Sequence, residues 1–155
     1  MKIIAFAIAI WLCVMPSFDA PQKSGWRGIV PLHSTRADVE RLLGRSKDPC
    51  GCTYHTERES VFIAYARRSC AENSEGWNVP VDTVLLINVT PRAQLQLSDL
   101  DIDVTTYQKT EDEELPGRVY YTDEEKGLFI IALKDGSVGS INYKPTTADN
   151  ALRCR

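Results

Sequence analysis

Four cysteines have the clearest capacity for chemistry in this sequence: Cys50, Cys52, Cys70 and Cys154. They are the cysteines left once the expected signal peptide, which contains Cys13, is removed, and this even number in an oxidising compartment predicts two disulfides. A bond between Cys50 and Cys52 would span a single residue with strained geometry. We therefore expect one of these two to pair with Cys70 and the other with Cys154. The connectivity stays open at this point, because four cysteines allow three pairings.

The same region also carries atoms that could bind a metal. Cys50, Cys52, His55 and Cys70 offer the sulfur and imidazole ligands that zinc prefers. Their C-x-C-x2-H spacing lacks the paired C-x2-C knuckles of common structural sites, and an exported protein would oxidise the thiols first. The lack of a C-x-x-C motif also argues against a redox role. We predict structural disulfides with no metal and no cofactor, and keep a metal or redox protein using Cys50, Cys52 and Cys70 as an alternative.

Three alternating aspartates form a second candidate. Asp99, Asp101 and Asp103 resemble the start of a calcium-binding loop, but that pattern requires glycine and glutamate where this chain has Val104 and Thr110. Such a cluster could instead provide a general acid and base, so an exported hydrolase using the carboxylates around residues 99–103 is an alternative function. We interpret the three aspartates as solvated turn residues.

His33 and Ser34 are neighbours and raise the question of a nucleophile and its base. Adjacent side chains rarely face one substrate, and no G-x-S-x-G motif surrounds the serine. Ser34 or Thr35 as the cap of the following helix explains the pattern without chemistry. The sequence therefore predicts no catalytic residue and favours a protein that is not an enzyme.

A loop aromatic provides a candidate for recognition. Trp77 and Asn78 follow Cys70 in a segment without strand or helix signals. An aromatic residue held in a loop by a nearby disulfide can form a contact surface. The alternative is a tryptophan that folds back onto the core. We predict Trp77 and Asn78 as possible partner-binding residues.

Composition and charge limit the classes of partner. The chain has 155 residues, is 43% hydrophobic and 25% charged, and has a net charge of −3. These values are typical of one folded domain with a real core. Duplex nucleic-acid binders usually need a basic face, so we predict no nucleic-acid partner.

The N-terminal residues read as a targeting segment. Lys2 precedes an uncharged apolar run at residues 3–14, and Pro16 interrupts it. The run suits a signal peptide and is too short to span a bilayer comfortably. We predict a signal peptide at residues 1–20, a linker at 21–27 and a single domain at 28–155. The protein would then be exported, periplasmic or extracellular, with no stable membrane insertion after the signal is removed.

Local patterns predict the elements of the domain. Thr35 and Asp38 have capping-box spacing, Val39, Leu42 and Leu43 share a helical face, and Gly44 ends the helix. Residues 84–89 are nearly continuously apolar, which suits a central strand covered on both faces. Strands are predicted at residues 53–57, 61–66, 81–90, 105–110, 118–122, 128–134 and 138–144. We expect an α+β fold in which a short N-terminal helix packs on an antiparallel β-meander sheet, stapled by disulfides.

Residues 28–44, GIVPLHSTRADVERLLG, resemble the opening of a known group. They are similar to the helix of BamE/SmpA-type small outer-membrane lipoproteins, a pattern shared by modules with the β-lactamase-inhibitor-protein fold. The resemblance implies a helix before a small antiparallel sheet, and a binding role in outer-membrane assembly or in capturing another protein. The full mature chain, including residues 77–80, 97–100 and 152–154, resembles secreted bacterial proteins of unknown function. We therefore predict an exported, non-catalytic binding or structural module whose partner is another envelope or secreted protein.

Overall fold

The computed structural model describes residues 25–68, 70 and 76–154. The expected signal peptide and most of the expected linker lie outside these residues. Trp26 falls in the linker range, yet it is 5% exposed and packs in the hydrophobic core. Within the described ranges, no helix has the length and apolar character needed to cross a membrane.

The predicted helix is present as α1, Arg36–Leu43. The Thr35 side chain accepts a hydrogen bond from the Asp38 amide, and the Asp38 carboxylate accepts one from the Thr35 amide at 2.9 Å, which completes a capping box. Gly44 ends the helix with a φ of 76°. Val39 is fully buried, but Leu42 is 47% exposed, so the buried stripe is narrower than the sequence pattern predicts.

In the described part of the chain, seven strands form one antiparallel sheet in the order β1-β2-β3-β7-β6-β5-β4. Short 3₁₀ turns at Leu97–Asp99, Val104–Thr106 and Thr147–Leu152 lie outside it. The strands are β1 Thr53–His55, β2 Glu59–Tyr65, β3 Val84–Pro91, β4 Gln108–Glu111, β5 Arg118–Asp123, β6 Leu128–Leu133 and β7 Val138–Tyr143.

The expected α+β class, with a helix packed on a meander, is wrong. The only α-helix among the described residues has eight residues, while an all-antiparallel sheet dominates the fold. The strands also do not form a simple meander. After β3 the chain crosses to the far edge of the sheet, enters it as β4 and returns strand by strand until β7 pairs with β3. The expected disulfide staple is present.

The segment that connects β3 to β4 covers part of the sheet with its side chains, as a second helical layer would. Leu95, Leu97, Leu100 and Ile102 pack against a cluster formed by Tyr107, Ile130 and Val138. A second cluster lies towards α1 and contains its Val39. Loop side chains therefore bury the part of the sheet that the short helix cannot reach.

All strand residues in both clusters point to the same side, which we call the core face. It is formed by Tyr54, Val61, Ile63, Tyr65, Val84, Ile87, Val89, Tyr121, Leu128, Ile130, Val138, Ile141 and Tyr143. The side chains that alternate with them form the opposite side, the open face. β3 shows the difference: Ile87 and Val89 are buried, whereas Leu86 and Asn88 are partly exposed. The expectation that this strand is covered on both faces is wrong.

Candidate functional site

One row of side chains crosses the open face from strand to strand. The registers place Phe62, Asn88, Asn142, Phe129 and Thr122 side by side on consecutive strands. At the centre, Asn88 Nδ2 donates to Asn142 Oδ1 at 2.8 Å, and Asn142 Nδ2 donates to the Phe129 carbonyl at 3.2 Å. The open face thus presents two fixed amides between two aromatic rings.

Apolar side chains next to this row are well exposed. Phe62 is 43% exposed and Leu133 is 50% exposed. Tyr120 and Ile131 are partly exposed, and the Tyr120 ring stacks on Phe129 with the ring centroids 5.4 Å apart. Single exposed apolar residues are ordinary, but several of them on one sheet face, here on both sides of the Asn88–Asn142 pair, are typical of an interaction surface.

A cleft of about 510 Å³ lies at one end of the open face, where β3 and β6 begin. Two aromatic rings line it, and each has a cation stacked on it. The Arg153 guanidinium carbon lies 4.6 Å from the centroid of Trp77, and Lys144 Nζ lies 4.2 Å from that of Phe129. Hydroxyl and amide groups from Thr122, Thr146, Thr147 and Asn150 complete the lining.

The open face and its cleft carry positive groups although the whole chain has a net charge of −3. Arg118 lies on this face in register with Leu133, and Lys144 and Arg153 line the cleft. Asp123 and Glu124 also line the cleft, but Lys126 Nζ contacts the Asp123 carboxylate at 2.9 Å and offsets its charge. This side of the molecule is therefore suited to a partner with carboxylates.

A short strap holds the tryptophan in the cleft. Trp77 forms an isolated antiparallel bridge with Arg153, and the Asn78 amide donates to the Leu152 carbonyl at 2.7 Å. The Cys70–Cys154 disulfide closes the same pair of segments. Trp77 thus lines the cleft, while the exposed Asn78 takes part through its backbone, and their role in binding a partner stays a prediction.

The cysteines pair as Cys50–Cys52 and Cys70–Cys154, each with a Cα–Cα distance of 5.3 Å. The expectation that Cys50 and Cys52 reach elsewhere is wrong. Gly51 between them has a φ of 64°, a conformation that favours glycine and turns the chain back on itself. The two neighbouring cysteines can therefore meet across one residue.

The metal-binding set that the sequence analysis kept as an alternative does not come together. Cys70 is bonded to Cys154, and His55 is exposed with its Nδ1 3.2 Å from Ser60 Oγ. The structure instead places Asp48 next to the Cys50–Cys52 pair, with ligand atoms of all three within 4.8 Å of one another. In the disulfide form the two sulfurs are not thiolates, and the thiolate is the form that binds metals.

Asp48 organises the turn that carries this pair. Its carboxylate accepts hydrogen bonds from the Thr53 amide at 2.7 Å, the Cys52 amide at 3.0 Å and Ser46 Oγ at 3.0 Å. The interaction with the Thr53 side chain has the largest effect, and together with the hydrogen bonds from the Cys52 amide, Ser46 Oγ and the Thr53 amide it outweighs desolvation and lowers the pKa of Asp48 to about 2. The carboxylate is thus fixed as an anion beside the disulfide.

His33 pairs with an aspartate that the sequence did not single out. His33 Nε2 lies 2.8 Å from Asp149 Oδ1, and Asp149 is only 7% exposed. Ser34 Oγ instead accepts a hydrogen bond from the Val30 amide, so His33 and Ser34 do not form a nucleophile and base. The sequence could have pointed to Asp149 through its spacing from Thr146, because the two form a capping box like that of α1.

The alternating aspartates serve the backbone around them. Asp99 accepts a hydrogen bond from the Gln96 amide at 2.9 Å, and Asp103 accepts one from the Thr105 amide at 3.0 Å. Asp101 is exposed. None of the three lines the cleft of the open face. The structure gives Asp99 and Asp103 capping roles at short 3₁₀ turns.

Among solved structures, the chain is similar to the crystal structure of a DUF4309 family protein (YjgB) from Bacillus subtilis subsp. subtilis str. 168, with a TM-score of 0.52. The two chains are 13% identical, and the match covers 77% of this chain and 84% of that one. At this identity the likeness concerns the fold alone. No family model and no curated protein matches the chain. The resemblance to BamE/SmpA-type lipoproteins therefore stays a prediction.

Proposed function

We propose that this protein is an exported, non-catalytic module that binds another protein on the open face of its sheet. One observation carries the proposal: both hydrophobic clusters use the core face, while Phe62 and Leu133 on the opposite side remain 43% and 50% exposed. A sheet of this kind has its own core and still offers a broad apolar surface to a partner.

The chemistry of the open face suggests the chemistry of the partner. Its rings provide apolar anchor points, the partly exposed Asn88 provides a neutral amide, and Lys144 and Arg153 provide positive charge in the cleft. Aromatic and arginine side chains are enriched where interfaces gain most of their binding energy. The partner we propose is a protein whose contact surface combines apolar side chains with aspartate or glutamate.

The groups that meet on the open face also favour binding over catalysis. Amides, aromatic rings and stacked cations fix the position of a ligand, whereas hydrolysis by carboxylates needs an acid and a base that flank the same bond. Asp99 and Asp103 bind backbone amides instead. Two disulfides are in keeping with an oxidising compartment, and they support export as part of the proposal.

Site-specific crosslinking tests the proposal in the cells that make the protein. A photoreactive phenylalanine analogue is placed at position 62 on the open face or at position 42 on α1, two sites with 43% and 47% exposure. We expect a discrete crosslinked protein from position 62 and none from position 42. Equal crosslinking from both positions would argue against a specific face.

A matched pair of variants then measures the purified complex. Leu133 and Leu115 are both 50% exposed, but Leu133 is a strand residue of the open face, whereas Leu115 lies in the turn between β4 and β5. Leu133→Glu should weaken binding of the crosslinked partner by about tenfold or more, the usual effect of losing a central apolar contact. Leu115→Glu should leave the affinity unchanged. Unfolding midpoints measured for both variants show whether the fold is intact, and equal affinities would contradict the proposal.

A further inference from the structure

We propose that the Cys50–Cys52 pair is a thiol–disulfide exchange site whose substrate is a polypeptide with two cysteine thiols. This inference does not depend on the open face, because Cys52 points into the cluster on the core face beside α1. The two disulfides differ in the length of chain that they enclose. Cys70–Cys154 joins segments 84 residues apart, whereas Cys50–Cys52 closes a ring over a separation of two.

The two sulfurs of the short ring differ in their access to solvent. Cys50 is exposed, and Cys52 is 5% exposed in the hydrophobic core. An incoming thiolate can therefore reach Cys50, while the buried Cys52 is the sulfur that leaves. Access to one sulfur of a pair is a main determinant of which bond forms in thiol–disulfide exchange.

The turn that carries the pair is held by bonds other than the disulfide. The Gly51 carbonyl accepts hydrogen bonds from Arg36 at 2.8 Å and from the Tyr54 hydroxyl at 3.1 Å. Asp48 holds the amides of Cys52 and Thr53 from the other side. These contacts keep Cys50 and Cys52 close whether the sulfurs are bonded or reduced, which is the requirement for a reversible pair.

The surroundings of the pair also provide a hydrogen-bond acceptor and a groove. Cys50 Sγ lies 3.5 Å from Asp48 Oδ2, so the S–H group of a reduced Cys50 can donate a hydrogen bond to that carboxylate and keep its own proton. A groove of about 570 Å³ is lined by Asp48, Leu43, Lys47 and Tyr54 among others; neither cysteine lines it, and Asp48 connects it to the turn that carries the pair. Its mixture of apolar, aromatic and positive groups suits a polypeptide segment.

The exchange balances without any other reagent. A substrate thiolate attacks Cys50 Sγ, a new sulfur–sulfur bond forms, and the Cys50–Cys52 bond breaks with Cys52 leaving as a thiolate. The second substrate thiolate attacks the substrate sulfur of this mixed disulfide, and Cys50 leaves as a thiolate. Two electrons pass from the substrate to the pair, the substrate gains a disulfide, and its two thiol protons end on Cys50 and Cys52.

A redox titration of the exported protein tests the proposal without any substitution. The protein is equilibrated with mixtures of reduced and oxidised glutathione, quenched with acid, alkylated and analysed by mass spectrometry for each cystine. We expect Cys50–Cys52 to open and close with the glutathione ratio while Cys70–Cys154 stays oxidised. If Cys50–Cys52 stays closed in mixtures that already open Cys70–Cys154, the proposal is wrong.

Single variants test the direction of attack. Cys52→Ser leaves the exposed Cys50 thiol, which should form a mixed disulfide with oxidised glutathione about tenfold faster, or more, than the buried Cys52 thiol left in Cys50→Ser. The wild-type protein should also oxidise one equivalent of a reduced two-cysteine peptide, and the double variant Cys50→Ser, Cys52→Ser should not. Equal rates in the two single variants, or equal peptide oxidation by the double variant, would overturn the proposal.

Discussion

At the scale of single residues, Asp149 joins two distant parts of the chain. It caps the last 3₁₀ turn through Thr146 and pairs with His33 near the first described residues. Burial disfavours its charged form, but the hydrogen bonds from His33 and Thr146 have the larger effect, so the pKa of Asp149 lies below its ordinary value of 3.8. This carboxylate therefore stabilises the fold only while it is ionised.

The lowered pKa of Asp149 predicts how stability depends on pH. Because the pKa is lower in the folded protein, the contribution of Asp149 is fully present above its ordinary pKa of 3.8 and is lost as the pH falls through the folded value. Asp149→Asn should lower the free energy of unfolding by about 1–3 kcal/mol at pH 7, and the difference from wild type should shrink below about pH 4. Urea denaturation of both proteins at pH values from 7 to 2 measures this difference in the free energy of unfolding.

Asp101→Asn is the matched control for Asp149, because Asp101 is an exposed aspartate. The free energy of unfolding of Asp101→Asn should equal that of wild type at each pH measured. A difference between Asp149→Asn and wild type that stays constant down to pH 2 would contradict the role given to this carboxylate.

Removing the hydroxyl group should change the stability of the protein in different ways at two buried tyrosines. Tyr107 is 6% exposed, and its hydroxyl has no hydrogen-bond partner within the described ranges. The Tyr54 hydroxyl bonds the Gly51 carbonyl and the Tyr65 hydroxyl, each at 3.1 Å. Tyr107→Phe should leave stability unchanged or raise it by up to about 1 kcal/mol, while Tyr54→Phe should lower it by about 1–2 kcal/mol. Thermal unfolding compares them, and a larger loss in Tyr107→Phe would contradict this assignment.

The sequence predicts local features of single residues well where the signal is local. The Thr35–Asp38 capping box and the Gly44 helix end are present because each depends on neighbours within one turn. The cysteine pairing was wrong because it depended on the conformation of Gly51, which no spacing rule reports. The pairing of His33 with Asp149 joins residues 116 apart and leaves no local signal.

At the scale of elements, the predicted strands are present with shifted ends, but their layering was wrong. Alternating apolar residues identify a strand, whereas its place in the sheet depends on long-range pairing, such as that of β3 with β7. The connection through Leu95, Leu97, Leu100 and Ile102 reads as a loop, yet its side chains pack against the second hydrophobic cluster of the core face. The fold class was therefore missed because loops replace the helical layer.

The two disulfides should contribute unequally to stability. Cys70–Cys154 closes a long loop and holds the Trp77 strap. In the chain-entropy model, the double variant Cys70→Ala, Cys154→Ala should therefore have a free energy of unfolding lower by on the order of 4 kcal/mol. The double variant Cys50→Ala, Cys52→Ala removes a bond between cysteines only two positions apart, so its free energy of unfolding should fall by less than half of that amount. Denaturant unfolding followed by tryptophan fluorescence measures both. Equal losses in the two double variants would contradict the division of roles.

At the scale of the whole molecule, the protein has a sheet with two unlike faces. The continuous apolar run of β3 indicated that both sides of this strand are buried. Among residues 25–68, 70 and 76–154, both hydrophobic clusters lie on the core face, and Leu86 on the other side is partly exposed beside the row that contains Asn88. Under the proposed function, a partner protein covers the second side. The cleft itself could not be predicted, because it joins Trp77, Phe129, Lys144 and Arg153 from distant segments.

The most direct measurement is a leucine-methyl NMR spectrum of the protein with and without the partner found by crosslinking. Leu86 and Leu133 report on the open face, and Leu42 and Leu115 report on exposed sites elsewhere. The proposed function predicts shifted or broadened signals for Leu86 and Leu133 and unchanged signals for Leu42 and Leu115. Changes at Leu42 or Leu115 with Leu86 and Leu133 unaffected would place the partner on another surface and contradict the proposal.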